Sequence, residues 1–153
     1  MKILLALFAL LMPVVAQAAD GVSLVSEVFV EHTETTPEGR SVTTRAEPDM
    51  VVPGDNLVFV LSYRNDGTEP ATDLVLTNPV PDSVAFSVTT DLSAVVSVDG
   101  GKTWGALASL TVIGTDGAGR PAEAADVTHI RWLLDRPVPS GAAGELSFRG
   151  LVK

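Results

Sequence analysis

Leu57-Val58-Phe59-Val60-Leu61-Ser62-Tyr63-Arg64, entered through Pro53-Gly54-Asp55-Asn56 and left through Asn65-Asp66-Gly67, is the stretch whose reading decides the fold. Leu57, Phe59, Leu61 and Tyr63 fall on one side of an extended chain, and Val58, Val60, Ser62 and Arg64 on the other. A period of two marks a half-buried strand, because successive side chains of an extended backbone point to opposite faces. The flanks are turn formers. Pro53 fixes φ, Gly54 and Gly67 are expected to reverse the chain without a Cβ clash, and Asn or Asp can bond nearby backbone groups.

The same period recurs outward from this strand, in runs at 72–77, 83–89, 94–98, 108–113, 128–134 and 144–152. Such short runs, punctuated by Gly, Pro, Asn and Asp, predict an all-β domain, an antiparallel β-sandwich of about seven to nine strands. Ile130, Trp132 and Leu134 form one buried face, leaving His129 and Arg131 opposite. Leu146, Phe148 and Val152 likewise face inward, with Glu145, Ser147, Arg149 and Lys153 outward. Pro79 and Pro81 stop a strand and keep its edge from pairing. Upstream, 22–31 is apolar on both faces: Val22, Leu24, Val28 and Val30 on one, Val25 and Phe29 on the other. No segment reads as a helix. Of the two long connections, 33–49 is polar, with 41–45 able to pair briefly as an edge, and 114–126 is rich in Gly and Ala, a composition that favours mobility.

The N-terminus reads as an export signal. Lys2 precedes an unbroken apolar run at 3–12, and Ala16-Gln17-Ala18 offers the small residues that a signal peptidase reads, so residues 1–18 form the signal and cleavage falls between Ala18 and Ala19. A spanning helix needs roughly 20 apolar residues, whereas Pro13 interrupts this run and Asp20 and Gly21 follow it. The chain has no cysteine, which removes a lipid anchor, disulfides, thiol catalysis and thiolate metal sites. Residues 19–153 then make one domain: an N-terminal strand at 22–31, a polar loop at 33–49 and a core at 50–153. The whole chain carries −9 at neutral pH, and the signal takes away one lysine and no acid. Such a surface repels nucleic acid and anionic lipid, and favours cations or basic patches on a protein partner.

The stretch 51–81 resembles the DUF11 domain family in its Pro53-Gly54-Asp55 turn, apolar strand, Asn65-x-Gly67-x-x-Pro70-Ala71 turn, second strand and Asn78-Pro79-x-Pro81 turn. Pro139-Ser140-Gly141 before a last alternating strand is similar to that family's closing segment, and the likeness covers most of 48–152. It implies an immunoglobulin-like sandwich of bacterial envelope and surface proteins, present here in a single copy, and supplies no catalytic residue.

Ser97-Val98-Asp99-Gly100-Gly101-Lys102-Thr103-Trp104 resembles the Asp-box of sialidase propellers, in which Ser97, Asp99, Gly101, Thr103 and Trp104 occupy the conserved-type positions. A propeller needs several blades. The expectation is therefore a well-made hairpin with a packed Trp104; carbohydrate contact would require that indole to be exposed. His32 and His129 lack the near companions of a metal site, and no nucleophile elbow or Ser, His and acid set is legible. Asp49, Asp55, Asp66 and Glu69 are weak calcium candidates, since calcium takes six to eight oxygen ligands and no acidic binding loop is present. The expected function is that of a non-enzymatic structural or interaction module of the envelope or extracellular space, without cofactor. Its alternatives are a small carbohydrate- or calcium-binding domain, or a subunit of a strand-exchanged assembly built through Val22 to Glu31.

Overall fold

The computed structural model describes residues 21–89, 91 and 93–153, so the signal positions Ala16, Ala18 and Ala19 lie outside the described residues. The chain is all-β. Among the described residues ten strands follow in order: β1 (Val22–Thr35), β2 (Ser41–Ala46), β3 (Asn56–Asn65), β4 (Val75–Pro79), β5 (Val84–Thr89), β6 (Ala94–Ser97), β7 (Thr111–Ile113), β8 (Gly119–Pro121), β9 (His129–Leu133) and β10 (Ala143–Val152). They form a five-stranded sheet of order β2-β1-β3-β10-β5, a three-stranded sheet of order β4-β9-β6 and the small β7-β8 hairpin, with every pair antiparallel. Among the described residues no helix is long and apolar enough to cross a membrane.

The deciding strand sits at the centre of the larger sheet. Leu57, Phe59 and Leu61 point into the core with Tyr63 packed at its margin. Phe59 stacks on Phe148 of β10 with ring centroids 4.5 Å apart. Trp132 of β9, in the other sheet, lies 6.3 Å from Phe148, so both sheets contribute to one core. Each large side chain so buried contributes about 1.5–3 kcal/mol by removal from water. A second link is polar: Ser26 Oγ of β1 reaches Asn78 Oδ1 of β4 at 3.4 Å. The opposite face of β3 is also covered, with Val58 0% and Val60 5% exposed, because the register flanks Val58 with Phe29 and Arg149 on either side.

Several boundaries differ from the sequence expectation, each for a local reason. The run at 72–77 starts its ladder only at Val75, since Asp73 adopts φ 52°, and Ala71 instead bridges Val138. The run at 108–113 shrinks to β7 behind a 3-10 turn at Leu107–Ser109. The connection at 114–126, whose composition favoured mobility, contains β8 and a 3-10 turn at Ala124–Asp126. That turn is held by the Arg120–Asp126 ion pair at 2.6 Å and by the Glu123 N–H donating to Asp126 Oδ2 at 2.8 Å. These additions raise the strand count to ten. The polar segment at 33–49 begins inside β1, which runs on to Thr35, and holds β2 as the expected edge.

Candidate functional site

The Asp-box hairpin is densely bonded within itself. β6 enters it, and Val96 and Gly105 exchange backbone hydrogen bonds of 2.9 and 3.1 Å across its base. The Asp99 carboxylate accepts four bonds: Ser97 Oγ, the Lys102 N–H and the Thr103 N–H on Oδ1, and Thr103 Oγ1 on Oδ2, at 2.7 to 3.0 Å. The Thr103 N–H and hydroxyl, followed by the Ser97 hydroxyl, hold the Asp99 carboxyl well below the usual carboxylate range. Ser97, wholly buried, takes the Gly101 N–H at 2.9 Å. Gly100 and Gly101 both sit at positive φ, the conformation that lets the loop close around the carboxylate. Asp99 therefore has little capacity left for a ligand.

Trp104 is packed against its neighbours without being fully buried. It is half-buried, and its Nε1–H donates to Gly101 O at 2.9 Å. It lies on the outer side of the three-stranded sheet, where the Arg131 guanidinium carbon is 3.7 Å from its ring centroid and His129 meets it edge-on at 6.3 Å. A cation so placed is attracted to the negative face of the indole. One face of the ring is thereby occupied by a side chain of the same protein. The alternation along β9 had already set Arg131 opposite Trp132; that the hairpin folds back over this face needed the β6-β9 pairing, which no local signal encodes.

The turns beside the deciding strand work as architecture. Gly54 has φ 98°, as expected of a reversal, and the Val52 N–H donates to Asp55 Oδ2 at 2.9 Å. Gly67 corrects the expectation. Its φ is not positive; a Cβ on Gly67 would stand 3.1 Å from Asn65 Oδ1, the atom that accepts its own N–H, with Gly21 Cα 3.6 Å away. Asn65, 1% exposed, is the centre of this turn. Its Nδ2 donates to Glu69 O and Val138 O, both at 2.8 Å, and its Oδ1 accepts the Gly67 N–H at 2.9 Å. Pro79 pairs at the end of edge strand β4, and Pro81 follows it outside the ladder.

The acidic candidates are not gathered. Asp55 closes its own turn and Asp66 pairs with Arg64 at 3.0 Å. Among the described residues no three His, Cys, Asp or Glu side chains are placed to hold a metal ion, Asp49 and Glu69 included. His32, on β1 beside Thr44 of β2, and His129, whose Nδ1 lies 3.1 Å from Thr128 Oγ1, belong to different sheets. An open groove of about 390 Å³ lies between the ends of β3, β9 and β10, its lining including Tyr63, Leu134, Leu146, Asp91, Asp135 and Arg136; no histidine lines it. Sequence reasoning missed one cluster altogether. Glu31, with a side chain 9% exposed, takes a bidentate fork from Arg149 at 2.7 and 2.9 Å and a further bond from Arg45 at 3.3 Å. The Arg149 hydrogen bonds hold its carboxyl below the usual range in spite of burial. Arg45 faces Glu31 across the β1–β2 pair, but Arg149 comes from β10, 118 positions away, so the cluster needed the strand order to be seen.

Comparison with protein-family models, with curated proteins and with solved structures finds no match to this chain.

Proposed function

We propose that the chain is an exported, non-enzymatic module of the envelope or extracellular space, an immunoglobulin-like β-sandwich of the DUF11 kind whose work is to be held by, or to hold, a protein partner. The observation that carries this reading is an open sheet edge. β3 pairs with one side of β1 at residues 22–31, while β2 pairs with the other side only at residues 30–35. Along residues 22–29 no strand lies on that second side among the described residues. β2 itself is exposed throughout and ends the sheet. An edge of unpaired N–H and C=O groups, free of proline and bearing Val25 at 56% exposure, is a template for an added strand. The turn residues support the same conclusion, since their polar groups are spent within the fold.

Strand addition along β1 is also what the self-assembly alternative requires. In this form it needs no exchange: Val22 and Val30 belong to the chain's own core, and a neighbour would add beside β1. The test is photo-cross-linking in the native cell from a reactive side chain at Val25 or Thr43. Discrete adducts from both positions, with none from a control at exposed Gly117, are expected. Full export and folding with no adduct at either position would contradict the reading. Sequencing the exported protein from its N-terminus tests the signal, and the expected first residue is Ala19.

A further inference from the structure

The free side of β1 has a defined length and a defined stop. Among the described residues that side is occupied by β2 alone, from Val30, which faces Ala46, to Thr35. At its other end the strand begins at Val22, after a turn in which Gly21 has φ 96°. A strand added here therefore has 22–29 to pair with and must end before Ala46. Along this stretch Ser23, Val25 and Glu27 are exposed on the outward face, while Val22, Leu24 and Val28 pack on the core side. Glu27 is the only charge in 22–29, although the chain as a whole has 19 acidic and 10 basic residues.

We infer that the strand added here is β1 of a second copy of this chain, antiparallel about a two-fold axis that passes beside Val25. This rests on the open-edge reading and names its partner. Residues opposite each other in an antiparallel ladder point to the same face, so a shared sheet must set core-side residues against core-side residues. A two-fold pairing with Val25 opposite Val25 of the second copy does so: Val22 stands opposite Val28, Ser23 opposite Glu27 and Leu24 opposite Ser26, each pair occurring twice. Val25, 56% exposed in the single chain, is then covered by its own counterpart. Each Glu27 faces a serine, and the second copy's strand starts just short of Ala46. A shift of two residues fits worse in either direction. One way sets Val25 against Glu27 and Val22 against Val30, where Ala46 already sits; the other draws the Gly21 turn into the ladder opposite Glu27. Because the same edge serves in both copies, the contact closes on itself, and the two larger sheets continue as one with no open edge left along 22–29.

The chain has no cysteine, so single cysteines introduced into the exported protein report the register. Val25→Cys should close a disulfide between two copies under mild oxidation, because opposite Cα atoms of an antiparallel pair lie about 4.5 or 5.5 Å apart, within disulfide reach. Ser23→Cys or Glu27→Cys alone should not, since like positions are then four residues, about 13 Å, out of register, whereas an equal mixture of the two should cross-link. Sedimentation equilibrium should show a reversible wild-type dimer. Val25→Lys, at an exposed position, should weaken it by about tenfold by setting like charges opposite, and mixing Val25→Lys with Val25→Glu should restore it. A wild type that stays monomeric at millimolar concentration, or disulfides forming equally from all three single cysteines, would overturn the inference. If the wild type is monomeric while cross-linking from Val25 in the cell yields adducts of a mass other than twice the chain's, the second copy fails and the open edge stands; a monomer with no adduct fails both.

Discussion

Replacing Asn65 tests whether the turn after the central strand is architecture. Its side chain is 1% exposed and makes three hydrogen bonds, two through Nδ2 to Glu69 O and Val138 O and one from the Gly67 N–H to Oδ1. Each such bond contributes about 1 kcal/mol net. Two of the three partners have a second bond to fall back on, since Val138 O also accepts the Ala71 N–H at 2.9 Å and the Gly67 N–H also reaches Gly21 O at 3.0 Å. Asn65→Ala should therefore cost about 2 kcal/mol. In urea unfolding followed by tryptophan fluorescence, that moves the midpoint down by roughly 1–2 M with an unchanged slope. Asn65→Asp is the sharper variant. It keeps the acceptor for Gly67 but turns an oxygen toward two carbonyl oxygens and buries a charge, so at neutral pH it should be less stable than Asn65→Ala. Its folded-state pKa must then lie above the unfolded one, so this variant should regain stability as the pH falls and the carboxyl becomes protonated. An aspartate variant equal to or better than the alanine variant at neutral pH would refute the account of this turn.

Glu31→Gln breaks the fork from Arg149 and should cost about 2 kcal/mol in the same assay. Because the Arg149 hydrogen bonds depress the Glu31 pKa, its contribution is complete above the usual carboxylate range and is lost as pH falls through the folded value, so wild type and variant should converge in acid. The same sign holds for Asp126, whose pKa is lowered to about 2 chiefly by the Arg120 hydrogen bonds: Asp126→Asn should destabilise at neutral pH and become neutral only toward that value. Gly150→Ala should cost about 2 kcal/mol, since its Cβ would run into the Val84 side chain and stand 3.1 Å from the Ala85 carbonyl at the β5-β10 bulge; a wild-type midpoint would show that the bulge yields.

The all-β class and the facing of most side chains were legible because a period of two depends only on neighbours along the chain. Leu57, Phe59 and Leu61, and likewise Ile130 and Trp132, turned inward as their alternation demanded. The turns were legible as turns, though for Gly67 the reason was wrong: its φ is not positive, and the atom a Cβ would meet at 3.1 Å is Asn65 Oδ1, held in place by bonds of Asn65 to Glu69 O and Val138 O. What could not be read was pairing. Arg131 under Trp104, the Glu31–Arg149–Arg45 cluster and the Ser26–Asn78 link all join residues whose neighbourhood is set by strand order. The irregular segment at 114–126 misled for a related reason. Its order comes from Arg120 and Asp126 closing on each other, six residues apart in a stretch whose composition resembles a linker.

All of these assignments, the outward faces above all, depend on the two sheets sharing one core. The measurement that addresses this most directly is the set of nuclear Overhauser contacts in the mature domain between the Trp132 ring on β9 and the Phe148 ring on β10, whose centroids lie 6.3 Å apart. Strong contacts between these rings, joined by contacts from Phe148 to Phe59 and Phe86, are the expected result. A folded domain in which Trp132 shows no contact with Phe148 would contradict the packing of the two sheets on one core, and with it the outward faces assigned from that packing.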